Sequence, residues 1–232
     1  MRVTRVRFVL LVAVAAAAAG VILALRRRRH GLPGAMKQHF QASHPVLIIN
    51  PLSGDGKAKK YGLEGEAVKY GIETVIWNKG EHLEQLTEDA IDRGCDLLMV
   101  GGGDGSLAAV STVAMKHNIR FACVPVGTRS HFAMDLGLDR NDPLKAIGAA
   151  IDGIEVEVNV GRVNDRVFLN NVSFGVYADA LADPDYRDHR AESMAHATEE
   201  VVGKNEGVGI SVKTPAGKTQ DQVDMLLVSN NP

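Results

Sequence analysis

Residues 96–106 read Asp-Leu-Leu-Met-Val-Gly-Gly-Gly-Asp-Gly-Ser, and they carry the clearest chemistry in the chain. A short apolar strand runs into Gly101, Gly102 and Gly103, and Asp104 then stands at the mouth of a helix. Glycines let a backbone come close to a ligand, and the free N–H groups of a helix start suit an anion. A carboxylate beside a phosphate is repelled unless a divalent cation bridges the two. The pattern therefore points to a magnesium–nucleotide site, with a ligand-free glycine turn as the competing reading. Asp104 has no evident core role in the sequence.

Two further loops follow strands. Ser53-Gly54-Asp55-Gly56-Lys57 has the look of a P-loop, but that motif needs Gly at 51 and Ser or Thr at 58, where the chain has Pro51 and Ala58. Gly103-Asp104-Gly105-Ser106-Leu107-Ala108 fits a loosened dinucleotide fingerprint. The acidic residue which that fingerprint wants at the end of the next strand is missing from residues 121–127. In the third loop, Gly127 and Thr128 end a strand in the manner of a phosphate grip, with Arg129 close by. Thr128 could equally cap a helix, Arg129 could be a solvated charge, and His131 reads as a structural histidine or as a base.

The elements that must hold these loops alternate. Strands are expected at 46–49, 73–77, 97–100 and 121–126. Helices are expected at 58–70, from Leu83 onwards with Gly94 just past the end, from Leu107 onwards, and from Asp142 as cap with Pro143 in the first turn. This is an α/β layer with a Rossmann-like, largely parallel sheet. Period-two alternation at 155–160, a turn at Asn164-Asp165, and strands near 167–170, 208–212 and 223–228 predict an antiparallel β domain from residue 155. Residues 180–206 are polar and charged.

Of the 232 residues, the first 37 carry eight Arg or Lys and no acid, which leaves the rest with a net charge of −10. A body so acidic is not expected to bind nucleic acid. Residues 8–25 contain no charged or polar side chain, enough for a helix of about 27 Å that just crosses a bilayer core. Arg26, Arg27, Arg28 and Arg29 follow, favouring a cytosolic side for what comes after and disfavouring a cleaved signal peptide. The sequence thus predicts a membrane anchor with a basic collar at 1–30, a linker at 31–44, an α/β nucleotide-binding domain at 45–154 and a β-rich domain at 155–232. The anchor is expected to span once, with the N-terminus outside. Cys95 and Cys123 lack metal spacing and read as small buried hydrophobes.

Taken in order, Asn50-Pro51 with Ser53-Gly54, the Gly-Gly-Asp-Gly-Ser run at 102–106, and Gly127-Thr128 with Phe132-Ala133 resemble the diacylglycerol kinase catalytic domain. Bacterial lipid kinases and sphingosine kinases share that domain. Residues 168–175, with Asn170, Asn171, Ser173 and Gly175, resemble the segment entering the family's β domain, so the likeness covers residues 45–232. It implies ATP phosphates on Asn50, Gly102, Gly103, Asp104, Gly105, Ser106, Gly127 and Thr128, with Asp104 as the catalytic carboxylate near Mg2+. It implies phosphoryl transfer to a diacylglycerol-like lipid hydroxyl, by positioning and charge neutralisation, at the cytoplasmic membrane. A homodimer is left open. Ser130 and His131 stand where the family pattern has Asn-Asp. The family's β domain continues beyond an Asn-Asn-Pro like that at 230–232, so the chain is expected to be C-terminally incomplete, with its general base beyond Pro232. The alternatives are an NAD kinase-like enzyme on a soluble substrate and an inactive, membrane-tethered nucleotide- or lipid-binding remnant.

Overall fold

A computed structural model of the protein describes residues 4–10, 38–175, 208–214, 217–223 and 225–230. They fall into two units, Met1–Asn170 and Asn171–Pro232. The first unit holds strands β1 (Thr4–Leu10), β2 (Gln38–Phe40), β3 (Pro45–Ile49), β4 (Glu73–Ile76), β5 (Leu97–Gly102), β6 (Arg120–Pro125), β7 (Gly153–Val163) and β8 (Arg166–Phe168). The sheet order is β2-β7-β1-β6-β5-β3-β4, with β8 paired to β7. Strands β4, β3, β5, β6 and β1 run parallel, while β7 runs against its neighbours β1, β2 and β8.

Every residue of β3 and β5 is buried, as expected of strands covered on both faces. Alternate side chains sort into two cores. Val46, Ile48, Leu98, Val100, Phe121 and Cys123 meet Leu83 and Ala90 of α3 (Leu83–Asp92) and Leu107, Val110 and Ala114 of α4 (Asp104–His117). Leu47, Ile49, Leu97, Met99, Ala122 and Val124 face the other way, toward Ala58 of α1 (Lys57–Lys60), Leu63 and Ala67 of α2 (Leu63–Lys69), and Ala146 and Ile147 of α6 (Leu144–Ile147). The expected helix at 58–70 is two pieces, because Gly62 takes a left-handed φ of 62° between α1 and α2. Asp142 does not cap α6; its carboxylate pairs with Lys145 at 2.9 Å.

Three expectations need correction. The unit boundary lies after Asn170, not at residue 155: β7 alternates because Val156, Val158 and Val160 enter the first core while Glu157 and Asn159 face solvent. That is the pattern of an antiparallel strand with one wet face, here added to a parallel sheet. The expected linker 31–44 contains β2, which pairs with β7.

Phe8, Val9 and Leu10 are not the start of a helix. They end β1, which lies between β6 and β7, with Phe8 opposite both Phe121 and Val156. The register places Val6 and Phe8 across from the buried Val158 and Val156, and Arg5 and Arg7 across from the exposed Asn159 and Glu157, so the alternation of β1 matches that of its neighbour. The remainder of the expected span, 11–25, lies outside the described residues. Among the described residues no helix is long and apolar enough to cross a membrane.

In the second unit, β9 (Asn171–Gly175) pairs antiparallel with β12 (Met225–Ser229), and β10 (Val208–Thr214) with β11 (Gly217–Val223). Its described residues bear out the expected antiparallel style. Strand β11 is not expected from the sequence, because its residues are almost all polar. The segment at 180–206 lies outside the described residues.

Candidate active site

The chain leaves β3 to build β4 on one side, then returns to build β5 on the other side of β3. The crevice between the ends of β3 and β5 is thus the point where strand order reverses, the place where open α/β sheets take their ligands. The loops after β3, β5 and β6 meet at this edge, and they are the three glycine-bearing loops of the sequence.

Asn50 fastens the first loop to the second. Its backbone N–H donates to the Gly101 carbonyl at 2.8 Å, its Oδ1 accepts from the Leu52 N–H at 3.1 Å, and its Nδ2 donates to Ser106 Oγ at 3.4 Å. Gly54, at φ 58°, presses on the end of β6; a Cβ there would lie 2.0 Å from the Val126 carbonyl oxygen. Ser53 Oγ sits 3.5 Å from the Cβ position of Gly103. The sequence motif contains Ser53 but does not by itself place it in the site. The signal is nonetheless there in Gly54-Asp55-Gly56, three successive residues with positive φ that turn the loop back over the glycines.

The second and third loops touch through bare backbone. The Gly127 N–H donates to the Gly102 carbonyl at 3.1 Å, and a Cβ on Gly127 would come within 2.5 Å of the Gly103 Cα. Gly102 has no room either, since its Cβ would meet the Ser106 Cβ at 2.8 Å. Gly105 differs. It lies in the first turn of α4, is exposed, and would meet no protein atom within 4 Å if it carried a Cβ. The chain's own packing does not require glycine here, and the space above it is where a phosphate could approach the first N–H groups of α4.

Asp104 does more than the sequence suggested. Its Oδ2 accepts from the His131 N–H at 3.1 Å and its Oδ1 from the Phe132 N–H at 3.2 Å, so it caps α5 (His131–Asp135) from outside that helix. Neither Ser130 nor Thr128 caps α5. The Ser130 side chain, at the N-cap, makes no bond to the helix, and Thr128 is exposed and makes no hydrogen bond among the described residues. The capping alternative for Thr128 therefore falls. Burial first, and the Asp104 charge second, push the Cys123 thiol far above its ordinary range.

Ser130 is 1% exposed and holds φ 45°, with its Oγ donating to the Gly127 carbonyl at 3.1 Å. Asn is among the few side-chain-bearing residues at ease in that conformation, which gives a backbone reason for Asn in the pattern that the chain departs from. His131 is held by its backbone, while its side chain is exposed and without a described hydrogen bond. The structural-histidine reading thus loses its support. Among the described residues no three His, Cys, Asp or Glu cluster as a metal cage. A lone carboxylate still suits Mg2+, which is held through one or two carboxylates plus substrate phosphates and water. Each Asp104 oxygen keeps a second lone pair beside the N–H bond it accepts.

The description "Diacylglycerol kinase catalytic domain" belongs to the family model that matches residues 44–163. A diacylglycerol kinase of Bacillus subtilis (strain 168) is 30% identical over 143 residues, 59% of this chain and 47% of that protein. One from Mycobacterium tuberculosis is 28% identical over 136 residues, 57% of this chain and 44% of its own length. The "Probable lipid kinase YegS" of Salmonella heidelberg is 30% identical over 150 residues, covering 62% and 48%. The chain spans about half the length of these curated relatives. Among solved structures, a diacylglycerol kinase from Bacillus anthracis superposes with a TM-score of 0.58 at 17% identity, over 83% of this chain and 66% of that one, a likeness of fold.

Proposed function

The chain belongs to the diacylglycerol kinase catalytic domain family, and from that premise we propose that it serves ATP-dependent phosphorylation of a lipid hydroxyl of the diacylglycerol type. The observation that carries the reading is the meeting of three glycine-bearing loops at the strand-order reversal, with Gly105 left open above the first turn of α4. The α4 N–H groups, Ser53, Ser106 and Thr128 would hold the phosphates, and Asn50 keeps the loops in register. Asp104 would hold Mg2+, which supplies charge neutralisation on the transferred phosphoryl group. The curated relatives are named as lipid kinases, and none of the three described above is named for a soluble nucleotide substrate.

The proposal includes a place at the cytoplasmic membrane, with the body on the cytosolic side where ATP is available. Residues 11–25 and Arg26–Arg29 support it by composition. Incubation with radiolabelled ATP and a panel of diacylglycerols, ceramide, sphingosine and NAD tests the activity. Label in a lipid, dependent on Mg2+, supports the proposal. Label in NAD alone, or in nothing although ATP binds, overturns it.

A further inference from the structure

We propose that Trp77 is the wall on which the nucleobase of the phosphoryl donor stacks. The inference rests on the nucleotide reading of the site and adds to it the residue that holds the base. Trp77, the first residue past β4, donates its N–H to the Ile49 carbonyl at 2.9 Å, and Ile49 stands opposite Ile76. Trp77 thus lies across from Asn50, one step beyond the paired strands. Alternation gives the two side chains the same face of the sheet. Ile76 packs with Ile49 in the second core, whereas Trp77 packs against the first, which holds Ile48 and the α4 residues Leu107 and Val110. Asn50 turns to that face too, since its Nδ2 reaches Ser106 Oγ in the first turn of α4. Trp77, Asn50 and the open Gly105 therefore follow one another along one edge of the sheet, on one side of it.

The indole is pinned and only partly buried. Its Nε1–H donates to the Glu81 carbonyl at 2.9 Å. The 78–81 loop is closed by the Asn78 N–H on Glu81 Oε2 at 2.6 Å and the Glu81 N–H on the Asn78 carbonyl at 3.2 Å. The chain thus satisfies the ring's polar atom, and the part left open is flat aromatic surface. Ala109, one turn past Gly105, is partly buried against the same core and adds no more than a methyl group there. Phe132, beside the third loop, offers no such surface: it is 3% exposed and stacked with Phe121. Two strand spacings, about 10 Å, separate β5 from β4, a span that a nucleotide bridges between its phosphates and its base. Asn50 and the exposed Asn78 and Lys79 flank the ring, so its surroundings suit a polar-rimmed base rather than an acyl chain. With its N–H engaged, the indole supplies affinity for a base and no hydrogen bond to choose among bases.

Trp77 is the chain's only tryptophan, so its emission is a local signal in the full, unaltered chain. ATP should quench it saturably, and tripolyphosphate should displace ATP without quenching. Calorimetric titration of Trp77→Phe and Trp77→Leu, each first shown to melt cooperatively, gives the complement. The Phe variant keeps most of the ATP affinity. The Leu variant loses about tenfold or more for ATP and nothing for tripolyphosphate. Bound ATP that leaves the emission unchanged, equal quenching by tripolyphosphate, or a Leu variant that weakens both ligands alike overturns the proposal. So does an emission that answers to a short-chain diacylglycerol and not to ATP. None of these readouts requires phosphoryl transfer. If ATP quenches but no lipid is labelled, the lipid-kinase reading fails and the stacking wall stands. If lipid is labelled with no quenching, the wall fails and the kinase stands. Failure to bind ATP at all overturns both.

Discussion

Gly105 lowers the stability of the ligand-free protein with no return from its own contacts, since glycine in a helix costs about 1 kcal/mol relative to alanine. Its φ is not in the left-handed region and its Cβ position is empty. Gly105→Ala should therefore raise the melting temperature by the equivalent of ~0.5–1 kcal/mol and weaken ATP binding by about tenfold or more. Calorimetric melting and titration on one preparation check both; unchanged ATP affinity would separate Gly105 from the phosphates. Asp104→Asn has two expected effects. One of the two cap bonds to α5 is replaced by an N–H facing an N–H, lowering stability by ~1–2 kcal/mol. Titrations with Mg2+ and with EDTA then isolate the second: if the cation sits on Asp104, the variant loses more affinity with Mg2+ than without. Thr128→Val should cost ~1–2 kcal/mol in ATP binding and leave stability unchanged, since its hydroxyl has no described partner in the protein. A fall in melting temperature with intact ATP affinity would refute that assignment.

At the scale of elements, legibility follows burial. Strands β3, β5 and β6 are visible in the sequence as compact apolar runs because both their faces are covered. The glycine loops are visible because only glycine permits the Gly103–Gly127 contact. Helix α5, five residues long, is not visible: its cap comes from Asp104, 27 residues earlier, and no local pattern announces a long-range cap. At the other edge of the sheet, Glu73 joins β4 to Arg93 and His44 at 2.6 and 2.9 Å. The Arg93 hydrogen bond, opposed by partial burial and aided by His44, holds the Glu73 carboxyl below its ordinary value of 4.5. A lowered folded-state pKa gives stability that is present above about pH 4.5 and lost as pH falls through the folded value. Glu73→Gln should thus destabilise at neutral pH, modestly for so exposed a group, and match the parent in strong acid. Denaturant melts across pH decide it; a constant difference would point to packing instead.

For the molecule as a whole, the sequence pattern misplaces two neighbouring strands of the sheet. β7 alternates like the strand of a separate β domain, and only its pairing with β1 and β2 shows which sheet owns it. β1 is hidden by the apolar run that begins inside it, although Arg5, Val6, Arg7 and Phe8 already alternate. The position of β1 also orders events during synthesis. Thr4–Leu10 leaves the ribosome long before its partners, which begin at Arg120 and Gly153. At roughly 5–20 residues per second, β1 waits about 7–30 s for β7 to be made. Until β6 is made the strand has no partner, and the apolar residues beyond it are exposed with it. The four strands β3 to β6 can assemble in sequence while the chain grows, but the sheet closes only when the N-terminus finds β7. Residues made early thus gain their fixed place late, and the interval in which a chaperone or a membrane could claim them is set by the length of the nucleotide-binding layer itself.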